Sequence, residues 1–143
     1  MPDDLKARIY DVLKQRRVAC FATVTAENKP WVRYVVATAD PETLSLTFAT
    51  HLKSRKVGQI RANPEVHLCT GVSNLETARH YVQVQGTAEV VTDAAAKQAY
   101  WKDSLASYFS GPDDPDYSLV VITPYRIEYL SATATEPLVW TAA

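Results

Sequence analysis

The stretch HYVQVQGTAEVV, residues 80–91, carries the clearest period-two pattern in this chain. Its aliphatic residues share one face with Gly86, and its polar residues share the other, which predicts a strand with one face on a core. A glycine inside a strand marks a bend or a bulge. The stretch therefore predicts a strongly curved sheet.

Working outward from this strand, the remaining pattern is dominated by further short strands. Most of the connections between them are short enough for antiparallel pairing, and the closing of such a sheet removes its exposed edges. The sequence thus predicts a mainly β fold: an antiparallel β-barrel of six or seven strands with three peripheral helices. The predicted strands cover residues 18–25, 31–39, 44–48, 65–72, 80–91, 117–123 and 126–131, and the predicted helices cover residues 2–16, 54–62 and 93–109.

Length and composition exclude several classes of protein. The 143 residues fit one domain spanning residues 1–143, and a net charge of −1 without a basic stripe argues against nucleic acid as a partner. Apolar runs fall well short of the ~20 residues that a membrane helix needs. The acidic N-terminus is unlike a secretory signal, so a cytoplasmic protein is expected. Cys20, Cys69 and the scattered histidines lack metal-ligand spacing, so we expect no metal site and two buried thiols.

The stretch FATHLKSRKV, residues 48–57, is the part of the chain that indicates a function. It runs out of a predicted strand and into the start of a predicted helix. A helix start presents unpaired N–H groups and the positive end of the dipole, which together favour a phosphate. The same place carries the hydroxyls of Thr50 and Ser54 and the cations of Lys53, Arg55 and Lys56.

A structural explanation of this stretch stands beside the functional one. Ser54 can be a plain helix cap, and the basic residues can be a solvated face. Cations in a first helical turn oppose the dipole, however, so a purely structural helix favours Asp or Glu there. This misplacement favours an anion site.

Arg33 is the second indication, because it lies inside the apolar strand WVRYVV, residues 31–36. A charge in such a place needs a partner. Both an ion pair, for instance with Glu89 or Glu128, and a bound anion satisfy that need.

The order of these motifs resembles the FMN-binding split barrels of the pyridoxamine 5′-phosphate oxidase-like family. The resemblance rests on Thr50, Ser54-Arg55-Lys56, Gln59-Ile60 and Asn63-Pro64, with the Arg33 strand before them and residues 82–89 after them. It covers nearly the whole chain. The short length and the loop GPDDPDY, residues 111–117, resemble the general stress protein 26 branch.

The resemblance implies a set of cofactor contacts and a homodimer with FMN at its interface. Arg55 and Lys56 would hold the FMN phosphate, helped by the hydroxyls of Thr50 and Ser54. Arg33 would reach toward the phosphate or ribityl chain, and the backbone of Tyr34, Val35 and Val36 would run along the flavin ring. Ala49 stands in place of a tyrosine that contacts the cofactor in the family, and Tyr81 is a further implied contact. Trp140 would either cover the flavin from the partner subunit or, preferably, anchor the tail.

Two departures from the family bear on the reaction. Thr38 stands where the true oxidase has a substrate-phosphate lysine, and the tail PLVWTAA, residues 137–143, lacks the oxidase's Arg-Leu-His-Asp-Arg type segment. These departures argue against pyridoxamine phosphate oxidation. The resemblance favours an FMN-dependent flavin or small-molecule reductase used under stress; the alternatives are a deazaflavin-dependent reductase of the same fold and a non-catalytic flavin-binding or sensing protein. The catalytic residues stay unassigned.

Overall fold

A computed structural model of the chain describes residues 2–76 and 78–143. Eight strands and three α-helices are formed in these residues, with one short 3₁₀ helix at Asp103–Ser107. The helices are α1 (Pro2–Leu13), α2 (Arg55–Ala62) and α3 (Ala94–Tyr100). The strands are β1 (Ala19–Val24), β2 (Pro30–Val35), β3 (Thr38–Ala39), β4 (Leu46–His51), β5 (Glu65–Thr70), β6 (His80–Val91), β7 (Tyr117–Ser131) and β8 (Leu138–Thr141).

The strands form one antiparallel sheet in the order β2-β1-β5-β6-β7-β4-β3, with β8 added beside β7. The two ends of this path, β2 and β3, are consecutive in the chain and are joined by Val36 and Ala37 alone. The sheet must therefore curl until its ends meet. This curled sheet confirms the mainly β split-barrel fold expected from the sequence.

The bend predicted at Gly86 is a register shift between Gln85 and Gly86 in the pairing of β6 with β7. A Cβ at Gly86 would lie 2.6 Å from the Thr123 carbonyl oxygen and 3.0 Å from Pro124 Cα, so only glycine fits. Pro124 lies at the same irregularity, where a missing N–H is tolerated. The break predicted at residues 124–125 is therefore wrong, and β7 runs unbroken from Tyr117 to Ser131.

Several other predicted boundaries are corrected. Residues 31–39 divide into β2 and β3, because the chain passes from one end of the sheet path to the other between them. The first helix stops at Leu13, and Arg16 has a φ of 51°. Leu44 has a φ of 62° in the turn before β4, which starts later than predicted.

The long helix predicted over residues 93–109 is also divided. Asp93 caps α3 through a 3.0 Å bond from the Ala96 N–H, as expected, but α3 ends at Tyr100 and the 3₁₀ helix follows. The helical spacing of Trp101, Leu105 and Tyr108 predicts a shared buried side, but Tyr108 is 68% exposed. The break in helical phase after Tyr100 turns it outward.

The period-two pattern of residues 18–25 places Val18, Cys20, Ala22 and Val24 on one face of β1, but the other face is the buried one. Ala19, Phe21 and Thr23 are buried, and Cys20 is exposed. The ring of Phe21 meets that of Phe48 edge-on at 5.1 Å in the core, and burying this ring removes more apolar surface than burying Cys20 would. The expectation of a buried thiol is therefore wrong for Cys20, while Cys69 is partly buried.

Within the described part of the chain, no helix has the length and apolar character needed to span a membrane.

Candidate functional site

The loop from β4 into α2 places the hydroxyls of Thr50 and Ser54 side by side. Ser54 occupies the N-cap position with φ −68° and ψ 153°, but its side chain makes no capping bond. Its Oγ lies 3.3 Å from Oγ1 of Thr50, which is buried at the end of β4. No acidic residue stands in the first turn of α2. The helix start therefore keeps its first N–H groups and the Ser54 hydroxyl available to a ligand.

Lys56 points back toward this hydroxyl pair. Its Nζ donates to Thr50 Oγ1 at 2.9 Å. Burial of the ammonium lowers the pKa of Lys56, and repulsion by Arg33 lowers it further. The side chain is thus held, partly desolvated, beside two neutral hydroxyls and another cation.

Arg33 reaches the same region from β2. Its guanidinium donates to Thr23 Oγ1 at 2.7 Å and to Gln59 Oε1 of α2 at 2.7 Å. Burial lowers the pKa of Arg33, and the charge of Arg55 lowers it further. Its described partners are neutral oxygens.

The ion pair considered for Arg33 is absent from the described residues. Glu128 pairs instead with Arg126, at 2.7 Å. Glu89 lies on the solvent-exposed face of β6. Among the described residues, the explanation that Arg33 is neutralised by an acidic side chain is therefore wrong.

Arg55, the first residue of α2, completes what we call the cation cluster: Arg33, Arg55 and Lys56. The Arg55 guanidinium carbon lies 5.5 Å from the centre of the Trp31 ring, and the side chain is exposed. None of the three cations forms an ion pair with any residue that the structure describes. Partly buried cations that lack a carboxylate partner are costly, and a bound phosphate would satisfy them through charge-assisted hydrogen bonds.

A cavity of about 470 Å³ opens beside the cation cluster. Four of the residues predicted to contact a cofactor line it: Val36, Ala49, Thr50 and Lys56. The lining also includes Tyr100 at the end of α3, Lys102 and Tyr108 on either side of the 3₁₀ helix, and Arg16 after α1.

Arg16 and Lys102 are a second pair of cations in the lining, which the sequence pattern did not indicate. Lys102 Nζ lies 3.3 Å from Thr38 Oγ1 and 4.7 Å from the centre of the Tyr100 ring. Burial lowers the pKa of Lys102, and the charge of Arg16 lowers it further. The Tyr100 hydroxyl lies 3.3 Å from Thr38 Oγ1 and donates to the Thr47 carbonyl at 3.1 Å. These residues are distant in sequence, so periodicity and spacing could not bring them together.

His51 also lines the cavity and was expected only to lie near the cofactor. Its Nδ1 is 2.6 Å from Asp116 Oδ2, and its ring centre is 4.7 Å from that of Phe109. The bond to His51 is the main reason that the pKa of Asp116 is lowered. The pair fixes the loop before β7 against the loop before α2.

The other predicted contacts lie outside the cation cluster. Tyr34 and Tyr81 line a separate groove of about 730 Å³ on the outer face of β1 and β5, and Val35 is buried in the core. Trp140 on β8 packs against the core and lines a hollow beside α1. This placement fits the preferred expectation that Trp140 anchors the tail.

Comparison with known proteins gives the family. The family model for pyridoxamine 5′-phosphate oxidase matches residues 5–131. General stress protein 26 of Bacillus subtilis is 31% identical over 135 residues, which cover 94% of this chain and 94% of that protein.

Solved structures agree with this result. General stress protein 26 of Bacillus anthracis superposes with a TM-score of 0.80 at 28% identity, covering 96% of this chain and 98% of that one. An F420 reductase gives a TM-score of 0.64 at 25% identity, covering 82% and 93%. A pyridoxamine 5′-phosphate oxidase-related, FMN-binding protein from Nostoc punctiforme has the same fold, with a TM-score of 0.70 at 19% identity over 96% and 85%.

We predict that Lys56→Met separates stability from anion binding. Methionine keeps the apolar stem and removes the charge that Arg33 repels, so the free energy of unfolding in urea should stay within about 0.5 kcal/mol of wild type or rise. Its gain in stability from added inorganic phosphate should be smaller than that of wild type. A loss of several kcal/mol without phosphate would show instead that Lys56 is a structural residue.

Proposed function

The chain belongs to the pyridoxamine 5′-phosphate oxidase family, and we propose that it is an FMN-binding oxidoreductase whose 143 residues act as one cofactor-binding domain. One observation carries this proposal: three cations without an acidic partner in the described structure converge on the start of α2, beside two hydroxyls. A phosphate monoester carries about −1.5 to −2 charges at neutral pH and several acceptor oxygens, so it matches this set of donors.

The residues that would hold the cofactor follow from the site. Arg33, Arg55 and Lys56 would bind the phosphate, and the hydroxyls of Thr50 and Ser54 would add hydrogen bonds. The backbone of residues 34–36, with Ala49 and Tyr81, would line the flavin. Bound FMN supplies hydride or electron transfer, while the protein binds and orients it.

A deazaflavin coenzyme is the second candidate, because the F420 reductase has the same fold at 25% identity. The phosphate monoester of FMN approaches two negative charges and would lie among the three positive charges of the cation cluster. This match is the reason that FMN is the first candidate.

We also propose that the substrate is a small anion. Lys102 and Arg16 line the same cavity as Lys56 and repel each other, and their surroundings suit a carboxylate or phosphate. Lys102 reaches Thr38, the position whose side chain argued against pyridoxamine phosphate oxidation. The ammonium of Lys102 thus supplies the charge that Thr38 lacks. A protein that only binds or senses flavin would have no ligand for Lys102 and Arg16 to bind, so this pair favours an enzyme.

A homodimer is part of the proposal. The outer side of β2, at the edge of the sheet, exposes Val32 at 61%, Tyr34 at 75% and the adjoining Val36 at 42%. A second copy of the chain would cover these apolar side chains next to the cavity. A cytoplasmic location and a role under stress remain predictions within this proposal.

The first test of the proposal is a titration with FMN and with riboflavin, which lacks the phosphate, followed by flavin fluorescence. We expect wild type to prefer FMN, and Arg55→Ala combined with Lys56→Ala to lose that preference. Each lost charge-assisted bond costs roughly 1.5–3 kcal/mol, so FMN affinity should fall on the order of a hundredfold or more. Riboflavin affinity should change little.

The matched control is Lys29→Ala combined with Arg61→Ala. It removes the same net charge from exposed positions outside the cation cluster and should leave FMN affinity nearly unchanged. Equal binding of FMN and riboflavin by wild type would contradict the phosphate site, and binding of a deazaflavin coenzyme but not FMN would favour the second candidate.

The substrate class is tested by soaking crystals in tungstate, an anion that anomalous scattering locates. We expect one peak at the cation cluster and a second beside Lys102 and Arg16, because both places carry unpaired positive charge. Lys102→Met should lose the second peak alone. Wild-type crystals with a peak only at the cation cluster would contradict an anionic substrate.

The dimer is tested by sedimentation velocity. Wild type should sediment at twice the mass of the chain, and Val32→Asp should shift it toward monomer, because a buried carboxylate without a partner is costly. The control is Val139→Asp on β8, which is 41% exposed and away from the β2 edge. A dimer that tolerates Val32→Asp would place the interface elsewhere.

A further inference from the structure

The two cysteines of this chain lie directly opposite each other on neighbouring strands. In the pairing of β1 with β5, Cys69 is the residue directly across from Cys20. The next two pairs along the strands are Phe21 with Leu68 and Ala22 with His67. Opposed residues of an antiparallel pair project to the same face of the sheet. The two thiols therefore stand side by side, although 48 residues of chain separate them.

The register fits the geometry of a disulfide. Opposed Cα atoms in antiparallel strands lie roughly 4.5–5.5 Å apart. Disulfide-linked cysteines have Cα separations of roughly 4.4–6.8 Å, so the Cα spacing that this register gives is compatible with the bond. Any other register of β1 against β5 would separate the two residues.

The two thiols also share an open groove. The groove of about 730 Å³ on the outer face is lined by both cysteines together with Arg17, Tyr34 and Tyr81. Cys20 is exposed, and Cys69 is partly buried. In a single chain a small oxidant therefore reaches Cys20 first, and the reaction should be slower in the proposed dimer, which would cover the neighbouring Tyr34.

The electrostatics distinguish the two sulfurs. Burial raises the pKa of the Cys69 thiol, and the nearby Cys20 raises it further. Cys69 is therefore the harder of the two thiols to deprotonate. The exposed thiol is the one placed to attack an oxidant, since the thiolate is the reacting form.

We propose that Cys20 and Cys69 form a redox-active dithiol that closes to an intrachain disulfide when it meets a peroxide. The Cys20 thiolate attacks one oxygen of hydrogen peroxide, the O–O bond breaks, and hydroxide leaves to give a sulfenic acid at Cys20. Cys69 sulfur then attacks the Cys20 sulfur, the S–O bond breaks, and water leaves. In total, two thiols and one peroxide give one disulfide and two waters. A small dithiol reductant then regenerates both thiols by thiol–disulfide exchange and is itself oxidised to a disulfide.

This proposal does not depend on the proposed flavin site. The dithiol is defined by strand register and by the groove, and it can be tested on protein without FMN. Tyr34 and Tyr81 line the same groove, so oxidation places a new bond beside two predicted flavin contacts.

The test uses the full chain, reduced and then treated with hydrogen peroxide. We expect intact mass to fall by two hydrogens, thiol titration in denaturant to fall from two per chain to none, and reductant to restore both. Tryptic digestion without reductant should join the peptide of residues 18–33 to that of residues 62–79. The chain should remain monomeric on non-reducing gels in denaturant.

Two single variants serve as controls. Cys69→Ser should accumulate a dimedone-trapped sulfenic acid at Cys20, whereas Cys20→Ser should be modified at least tenfold more slowly at Cys69. Failure of peptides 18–33 and 62–79 to join, or joining of Cys20 to the Cys20 of another chain, would overturn the proposal. If FMN fails to bind while the disulfide forms, the proposed function fails and the dithiol stands; the reverse result rejects the dithiol alone.

Discussion

The short link between the two ends of the sheet is the constraint on which the rest of this structure depends. Seven strands laid flat would hold their outer strands about 29 Å apart. The step from Val35 on β2 to Thr38 on β3 spans three Cα–Cα distances, at most about 11 Å. The sheet can satisfy both only by curling. The register shift at Gly86, where a side chain would strike β7, gives the longest strand pair the irregularity that such a curl requires. The curl also brings β2 beside α2, so that Arg33 and Gln59 can meet.

The contact between β2 and α2 brings like charges together, which costs free energy. Arg33, Arg55 and Lys56 are drawn together by backbone geometry, and the lowered pKa values of Arg33 and Lys56 record what burial and mutual repulsion cost them. The hydrogen-bond partners of Arg33 and Lys56 are hydroxyl, amide and carbonyl oxygens, which orient the cations without neutralising them. A fold selected for stability alone would place a carboxylate here, as it does for Arg126 with Glu128. The arrangement is therefore better explained by a ligand that brings the missing negative charge.

A feature of this structure can be predicted from the sequence when the residues that form it are close together in the chain. β6 is predicted residue for residue, because its alternation is long and its pairing partners lie on both sides. The cation cluster is predicted in outline, since Thr50, Ser54, Arg55 and Lys56 are close in the chain. The continuous β7 is not, because Pro124 is tolerated through an irregularity opposite a different strand. The sequence also fails to predict that Lys102 lies beside Thr38 and that Cys20 lies opposite Cys69. Each contact depends on tertiary structure, and no local sequence pattern encodes it.

The number of cations around the cavity limits the charge of the ligands that it can bind favourably. A ligand with one negative charge at the cation cluster would leave two of three cations uncompensated, and a dianion leaves one. In the lining of the cavity, Arg16 and Lys102 present two more charges that a cofactor phosphate held at α2 leaves unsatisfied. The described lining of this cavity includes no acidic side chain, so an anion bound there would meet cations without a competing carboxylate. The proposed FMN phosphate would meet the cation cluster and the proposed anionic substrate would meet Arg16 and Lys102, whereas a neutral substrate would make no charge-assisted hydrogen bond with this second pair.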